Sequence, residues 1–475
     1  MLTKLVIRDV LLLDPATAGP ARRADVVVEN ASIAAVTQPG KADMSGARVI
    51  EGRDRLLLPG LINAHTHSPT NVLKGTGDIL SHPAFMWRNQ ADTAGRTPDE
   101  IRLSALLGCI EHLLGGTTAI VDHFPEQGFS DADVDAVVDA YRTAGIRALV
   151  ALRIFDEAYT DIEPPGGYPD GFAIENPLVP PPLADSMALV ETAIARHHNS
   201  AGGRIGICPA PSNPMRCSDA LLSAVVDVAR RHDTAIHMHL LETAIQAKIA
   251  KGKYGRTMVE QLDKLGVLNE RLSTAHTIWL EESDIELFAE RRAMPVHNPE
   301  SNLKLGTGIS PIAKMLRAGV TVALGTDGAS TNDNLDMHEV MRLALMLQRP
   351  GEPDRSRWPT AAQGLAMATV SGGKVLRRPG LGTLGVGAPA DLVLHDLSAP
   401  SWIPLNDPLA QIVFGASCAT VDTVIVDGKI LVEGGRITAF DMQPILSEVR
   451  DLVRRQRARN GPLQDWAARM EELVP

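Results

Sequence analysis

The chain has 475 residues and a net charge of −11; 44% of its residues are hydrophobic and 22% charged. That length accommodates about three ordinary domains, or one (β/α)8 barrel of ~250 residues or more with a small domain added. The composition excludes a disordered chain, and the acidic balance argues against a general nucleic-acid binder, which needs a basic face.

The first 58 residues alternate short β-rich runs with turns: Leu5-Val6-Ile7, Asp25 to Asn30, Ile33 to Val36 and Arg48-Val49-Ile50. The same texture returns at Ala390 to Asp396 and at Val424 to Val432, where Asp427-Gly428 is a hairpin-turn signal. These two ends are expected to build one discontinuous β-sandwich domain from 1–58 and 381–440. Between them, strands are predicted at 57–64, 118–122, 147–152, 204–208, 234–239, 272–276, 294–297 and 320–326. Amphipathic helices are predicted at 99–115, 131–144, 183–198, 218–232, 255–265, 281–291 and 309–318. Eight strands with helices between them fit an α/β fold, a closed (β/α)8 TIM-like barrel over 59–380. Residues 155–182, rich in Pro, Gly and acids, read as a surface loop, and 441–475 as a C-terminal helical tail. No apolar run is long enough to span a bilayer. The start of the chain has no basic, apolar and small-residue succession of a secretion signal. Cys109, Cys208, Cys217 and Cys418 form no Cys-x-x-Cys pair, so they read as reduced thiols of a cytoplasmic protein.

Five strand ends carry chemistry. Residues alternate faces along a strand, so His65 and His67 of Asn63-Ala64-His65-Thr66-His67 point the same way and can grip one divalent metal. Further tips carry Ile236-His237-Met238-His239 with Glu242 just beyond, Thr274-Ala275-His276, Val296-His297 and Gly325-Thr326-Asp327-Gly328. In a parallel barrel these tips converge on one rim. His65, His67, His239 and Asp327 make a three-imidazole, one-carboxylate shell for Zn2+ or Fe2+, and the donor set does not choose between them. Such a metal lowers the pKa of its water from ~15.7 toward ~7. Asp327 is expected to take that water's proton, Glu242 to protonate a ring nitrogen, and His276 to polarise the attacked atom or hold the hydroxide. His237 lies one layer deeper, and supporting the metal ligands or a purely structural role both stay open for it. His112, His232 and His338 fall in helical stretches and are expected to be solvated. The third and fourth strand ends offer no Lys to bridge a second metal, which favours a single ion.

With these residues in place, the chain resembles the amidohydrolase superfamily. The branch is that of the mononuclear-metal aminohydrolases, with the S-adenosylhomocysteine, guanine and 8-oxoguanine deaminases and the triazine hydrolases. The matching stretches are Pro59 to His67, His237 to Thr243, His297 to Leu305 and Leu324 to Asp333. The resemblance implies the same four ligands, with Glu242 as proton shuttle and His276 as activating histidine, and it implies a homo-oligomer. Where many family deaminases carry a Leu-Pro-Leu-x-x-Trp-Leu-like segment, this chain has Leu80 to Gln90. Substrate contacts are expected from Phe85, Trp87, His123, Arg153, His297 and Asn332. The function expected is metal-dependent hydrolytic deamination of an amino-substituted N-heterocycle (purine, pyrimidine, pterin or triazine). The alternatives are release of chloride or alkylamine from triazine-like rings, cleavage of a urea or carbamate C–N bond, and, remotely, a non-catalytic scaffold barrel.

Overall fold

The computed structural model describes residues 4–17, 19–126, 128–159, 162 and 180–473. Most of the loop expected at 155–182 lies outside the described residues.

Eight parallel strands carry the middle of the chain. Leu61–Thr66, Thr117–Phe124, Arg147–Ile154 and Ile205–Pro211 pair in that order. Ile236–Leu240, Leu272–His276, Met294–His297 and Ala323–Leu324 pair likewise. Two seams join the halves into a barrel: His239 N donates to Ser212 O (3.2 Å), and Asp327 N donates to His65 O (3.0 Å). At the second seam the Asn63 side chain replaces backbone pairing. Its Oδ1 accepts from Thr326 N (3.0 Å), and its Nδ2 donates to Thr326 Oγ1 (2.7 Å). The last strand is accordingly shorter than its apolar run, 320–326, suggests.

Helix starts follow local capping chemistry. Thr97 with Glu100 and Ser130 with Asp133 form capping boxes for Pro98–Leu114 and Asp131–Ala144, and Ser218 caps Asp219–Arg231. Helix His82–Thr93 was not anticipated. It lacks a single apolar stripe because both its sides are occupied, one by a cleft and one by the C-terminal helix Met442–Glu471.

Both chain ends share a nine-stranded sheet in which Arg55–Pro59 pairs with Leu392–Asp396 from the far end of the sequence. Alternation decides what each face touches. Leu57, Leu392, Leu394 and Ile425 join the sheet's own core with Ile7 and Val26. Leu56, Leu58, Val393 and Val424 face the barrel core. Central strands buried on both faces explain the unbroken apolar runs Leu56-Leu57-Leu58 and Leu392-Val393-Leu394. Trp402, Ile412 and Val413, though they lie between strands of this sheet, pack into the barrel core.

The C-terminal helix binds the barrel through Asn460, whose Nδ2 donates to the carbonyls of Ala91 and Asp92 (3.0 and 3.2 Å), and through Arg459, paired with Glu100 (3.0 Å). Ala467 and Met470 pack with Trp87.

Candidate active site and metal centre

Three strand ends bring four side chains to one point. His67 Nε2 lies 3.2 Å from His239 Nε2, and Asp327 Oδ1 lies 3.3 Å from both His65 Nε2 and His67 Nε2. His65 Nε2 is buried and has no hydrogen-bond partner, so its lone pair faces the other ligand atoms without being used. That convergence of imidazole nitrogens on a carboxylate oxygen fits one divalent metal.

The backbone has to turn sharply to present these groups. Leu241, His276 and Asp327 have φ of 49°, 69° and 63°, a left-handed region costing non-glycine residues of order 1–3 kcal/mol. Glycines flank Asp327 for a steric reason. A Cβ on Gly325 would meet His65 O at 2.8 Å, and one on Gly328 would meet Thr70 Oγ1 at 2.5 Å. The last strand therefore lies directly against the first.

Outer partners fix each imidazole's tautomer. His239 Nδ1 donates to Ser212 O (2.8 Å). His67 Nδ1 lies 2.6 Å from Glu126 Oε1, and Arg153 Nη1 donates to Glu126 Oε2 (2.8 Å). His65 Nδ1 meets His237 Nε2 (2.8 Å), and His237 Nδ1 meets Ser273 Oγ (2.7 Å). Ser273 Oγ donates onward to Ile236 O (3.4 Å) and so accepts from His237. His237 Nε2 is then bare and accepts from His65 Nδ1. The Nδ1 of each of the three histidines is thus engaged, which leaves Nε2 as the nitrogen turned toward the metal point.

Burial pushes His65 down to about 4. For His67 burial acts downward too, but Glu126 and Asp327 outweigh it and hold the group up at about 10. Burial works to raise Asp327, yet the His65 and His67 contacts keep it well below the ordinary carboxylate range. Ser301 Oγ and Thr331 Oγ1 donate to its Oδ2 (2.5 and 3.2 Å).

Glu242 and His276 stand on the same rim. Glu242 Oε1 lies 3.8 Å from His276 Nε2, Oε2 lies 3.0 Å from His82 Nε2, and His276 Nδ1 meets Asn302 Oδ1 (2.8 Å). Burial favours a protonated Glu242, but His276 and His82 overcome it and hold the carboxyl below its usual value. A cleft of about 580 Å³ opens onto these groups. His82, Phe85, Met86 and Asn89 form one wall of it, as positions i, i+3, i+4 and i+7 of one helix face.

The six residues expected to contact substrate divide. Phe85 and Arg153 line the cleft, though Arg153 is engaged with Glu126 and Ser212. Trp87 does not reach it: two residues past Phe85 is about 200° around the helix, and its ring is buried against Tyr159, Ala467 and Met470. Asn332 Nδ2 donates to Thr326 O (3.1 Å) and braces the turn that carries Asp327. His123 is fully buried behind the ligands, its ring 4.6 Å from that of His239, and His297 is buried beside the last strand, its carbonyl accepting from Gly325 N. Neither belongs to the cleft wall. His112 and His338 are buried rather than solvated; His338 Nδ1 pairs with Asp336 (2.7 Å). Sequence reasoning did not single out His82, Glu126, Ser212 or Asn302. Glu126 and Asn302 lie within stretches that carry predicted site residues, but no spacing rule marks them.

Three convergent imidazoles, a carboxylate held ionised and a second carboxylate across the cleft define a metal-dependent hydrolase. The chain belongs to the amidohydrolase family, whose model matches residues 56–431. It is 34% identical over 435 residues to the 5'-deoxyadenosine deaminase of Methanothermobacter thermautotrophicus, covering 90% of this chain and 94% of that one. It is 33% identical to the 5-methylthioadenosine/S-adenosylhomocysteine deaminase of Caldanaerobacter subterraneus, covering 84% and 87%. Among solved structures it is similar to an adenosine deaminase from Xanthomonas campestris with bound zinc, with TM-score 0.83, 30% identity and coverage of 96% and 99%. It is also similar to the atrazine chlorohydrolase TrzN of Arthrobacter aurescens complexed with zinc, with TM-score 0.86, 27% identity and coverage of 94% and 100%. The chain is an amidohydrolase of the deaminase kind, using a divalent metal to hydrolyse a non-peptide carbon–nitrogen bond. No helix among the described residues is long and apolar enough to cross a membrane.

Proposed function

We propose that the protein hydrolytically deaminates an aminopurine of the adenosine type, with one Zn2+ held by His65, His67, His239 and Asp327. The observation that carries this reading is the position of Glu242. It stands in the same cleft as the ligands, between His82 and His276, where an amidine ring needs a proton donor. The bound metal supplies a nucleophile at neutral pH by acidifying water. Asp327, ionised and steadied by Ser301 and Thr331, accepts the nucleophile's proton at its carboxylate. Glu242 rests ionised, so it first takes up one proton of the water and then delivers it to the ring nitrogen beside the attacked carbon; the bond to the amino group breaks, and the proton held by Asp327 leaves with that group as ammonia. His276, fixed through Asn302, holds the reacting oxygen in line. Phe85, Met86 and Met215 offer apolar surface to a flat ring. The likeness to the deaminases supports the substrate class.

The likeness to atrazine chlorohydrolase supports a second reading, displacement of chloride or alkylamine from a triazine. Ammonia release from adenosine compounds, guanine, 8-oxoguanine, cytosine, pterins and amino-triazines, with an Asp327→Asn control, separates the two. Release from an adenosine compound, abolished in the control, supports the first. No ammonia from any ring by protein holding one equivalent of metal rejects it. We also read the protein as a cytoplasmic homo-oligomer, on the family resemblance and its unpaired cysteines; sedimentation velocity tests the assembly.

A further inference from the structure

The cleft contains a cation that none of these roles uses. Arg216 ends the short turn Pro214–Arg216 that follows the fourth barrel strand, and it lines the cleft while being only 3% exposed. Its guanidinium carbon lies 3.8 Å from the centroid of the Phe155 ring. Its Nε and Nη1 are buried and have no hydrogen-bond partner. No carboxylate among the described residues pairs with it, because the acids around it are engaged. Glu126 is shared by His67 and Arg153, Asp156 accepts from Ser218 N and Oγ, and Glu157 pairs with Lys253. Arg153, its neighbour in the cleft, is by contrast fully used by Glu126 and Ser212.

The main chain at Arg216 is held on both sides. Arg216 N donates to Asn213 O (2.9 Å), and Arg216 O accepts from Asp156 N and Glu157 N (3.2 and 3.0 Å). Burial and the charge of Arg153 bring the group down to about 9, so it remains a cation at neutral pH. A buried charge without a counter-charge is destabilising. No such partner stands among the described residues, and a ligand in the cleft would supply one. An aromatic ring stacked on a guanidinium leaves its in-plane N–H groups available, and that fork matches the two oxygens of a carboxylate or phosphate. Among the described residues Arg216 makes no contact with the four ligands, Glu242 or His276, so the group it binds is not the one that reacts.

We propose that Arg216 recognises an anionic substituent, a carboxylate or a phosphate, carried by the substrate outside the reacting ring. This rests on the reading of the cleft as the site of deamination. The test compares zinc-loaded wild type with Arg216→Met, using adenosine, adenosine 5'-monophosphate and adenosine 5'-carboxylic acid. In wild type at least one anionic compound should exceed adenosine in kcat/KM by about ten- to a hundred-fold, the worth of a charge-assisted contact. In Arg216→Met that ratio should fall to near one. Which anion gains identifies the group. A wild-type ratio near one, or a ratio that survives the substitution, overturns the proposal. A second readout is independent of turnover: inorganic phosphate and succinate should each be tested for raising the melting temperature of wild type but not of Arg216→Met. If no adenine compound reacts, the substrate reading falls and this shift alone decides: an equal response of the two proteins overturns the proposal. Without ligand, Arg216→Met should melt no lower than wild type, since it removes a buried charge with no partner among the described residues; a drop of several degrees overturns it by showing that Arg216 supports the fold.

Discussion

His237 Nε2 accepts a 2.8 Å hydrogen bond from His65 Nδ1, and this contact, one layer below the rim, decides which nitrogen of His65 faces the metal point. His237→Ala is therefore expected to fold, to leave His65 free to adopt the wrong tautomer, and to bind metal about 10- to 100-fold more weakly. Competition with a chromogenic chelator measures this; unchanged affinity would assign His237 to packing alone.

The Arg153–Glu126 pair stands behind His67 with both side chains almost wholly buried. Removing Glu126 strands Arg153, and removing Arg153 leaves the buried Glu126 with His67 alone. Arg153→Met is expected to cost about 3–5 kcal/mol in unfolding free energy, and the double substitution Arg153→Met with Glu126→Gln less than the sum of the two singles. Urea denaturation of the four proteins checks the coupling; additive losses would show that the pair does not act as a unit.

Glu242→Gln should keep its metal and lose about 10²- to 10⁴-fold in kcat, the usual scale for a general acid–base group. His82→Gln should lose less and move the pH dependence of kcat/KM, because His82 is one of the two histidines whose contact holds Glu242 below its usual value. A pH profile identical to that of wild type would remove His82 from the proton path.

Glu300 offers a pH test away from the metal. Burial, with Glu339 adding repulsion, raises its carboxyl to about 8. Its folded value lies above its unfolded one, so the folded state binds the proton more tightly. The stabilisation it gives is complete below the unfolded value, near 4.5, and is lost as pH rises through about 8. Glu300→Gln should melt above wild type at pH 8.5 and lose that margin near pH 5. An equal margin at both values would contradict the assignment.

Metal analysis should give one equivalent per chain, lost when His65 and His67 are both replaced by Ala. Added zinc should raise the melting temperature of wild type and not of the double variant. Two equivalents per chain would contradict the single-ion reading.

The barrel and the convergence of His65, His67, His239 and Asp327 were legible in the sequence because both rest on local patterns. Alternation along a strand put His65 and His67 on one face, and eight apolar runs ended at the tips that converge. The substrate wall was harder to read. Phe85 and Trp87 look equivalent in sequence, and only the helix from His82 to Thr93 turns one toward the cleft and the other toward the C-terminal helix. Glu126, Ser212 and Asn302 support the site through contacts spanning 26 to 59 residues, which no local pattern encodes. His112 and His338 fall in helical runs, but only the tertiary fold shows that those positions are enclosed.

The last helix of the chain grips the outer side of the helix whose inner side offers His82, Phe85, Met86 and Asn89 to the cleft. Selectivity can therefore drift by changes in the tail. A substitution at Asn460 or Met470 resets the tilt of that wall while the ion-binding centre stays intact, so two descendants of this enzyme could part ways in diet while keeping the same chemistry.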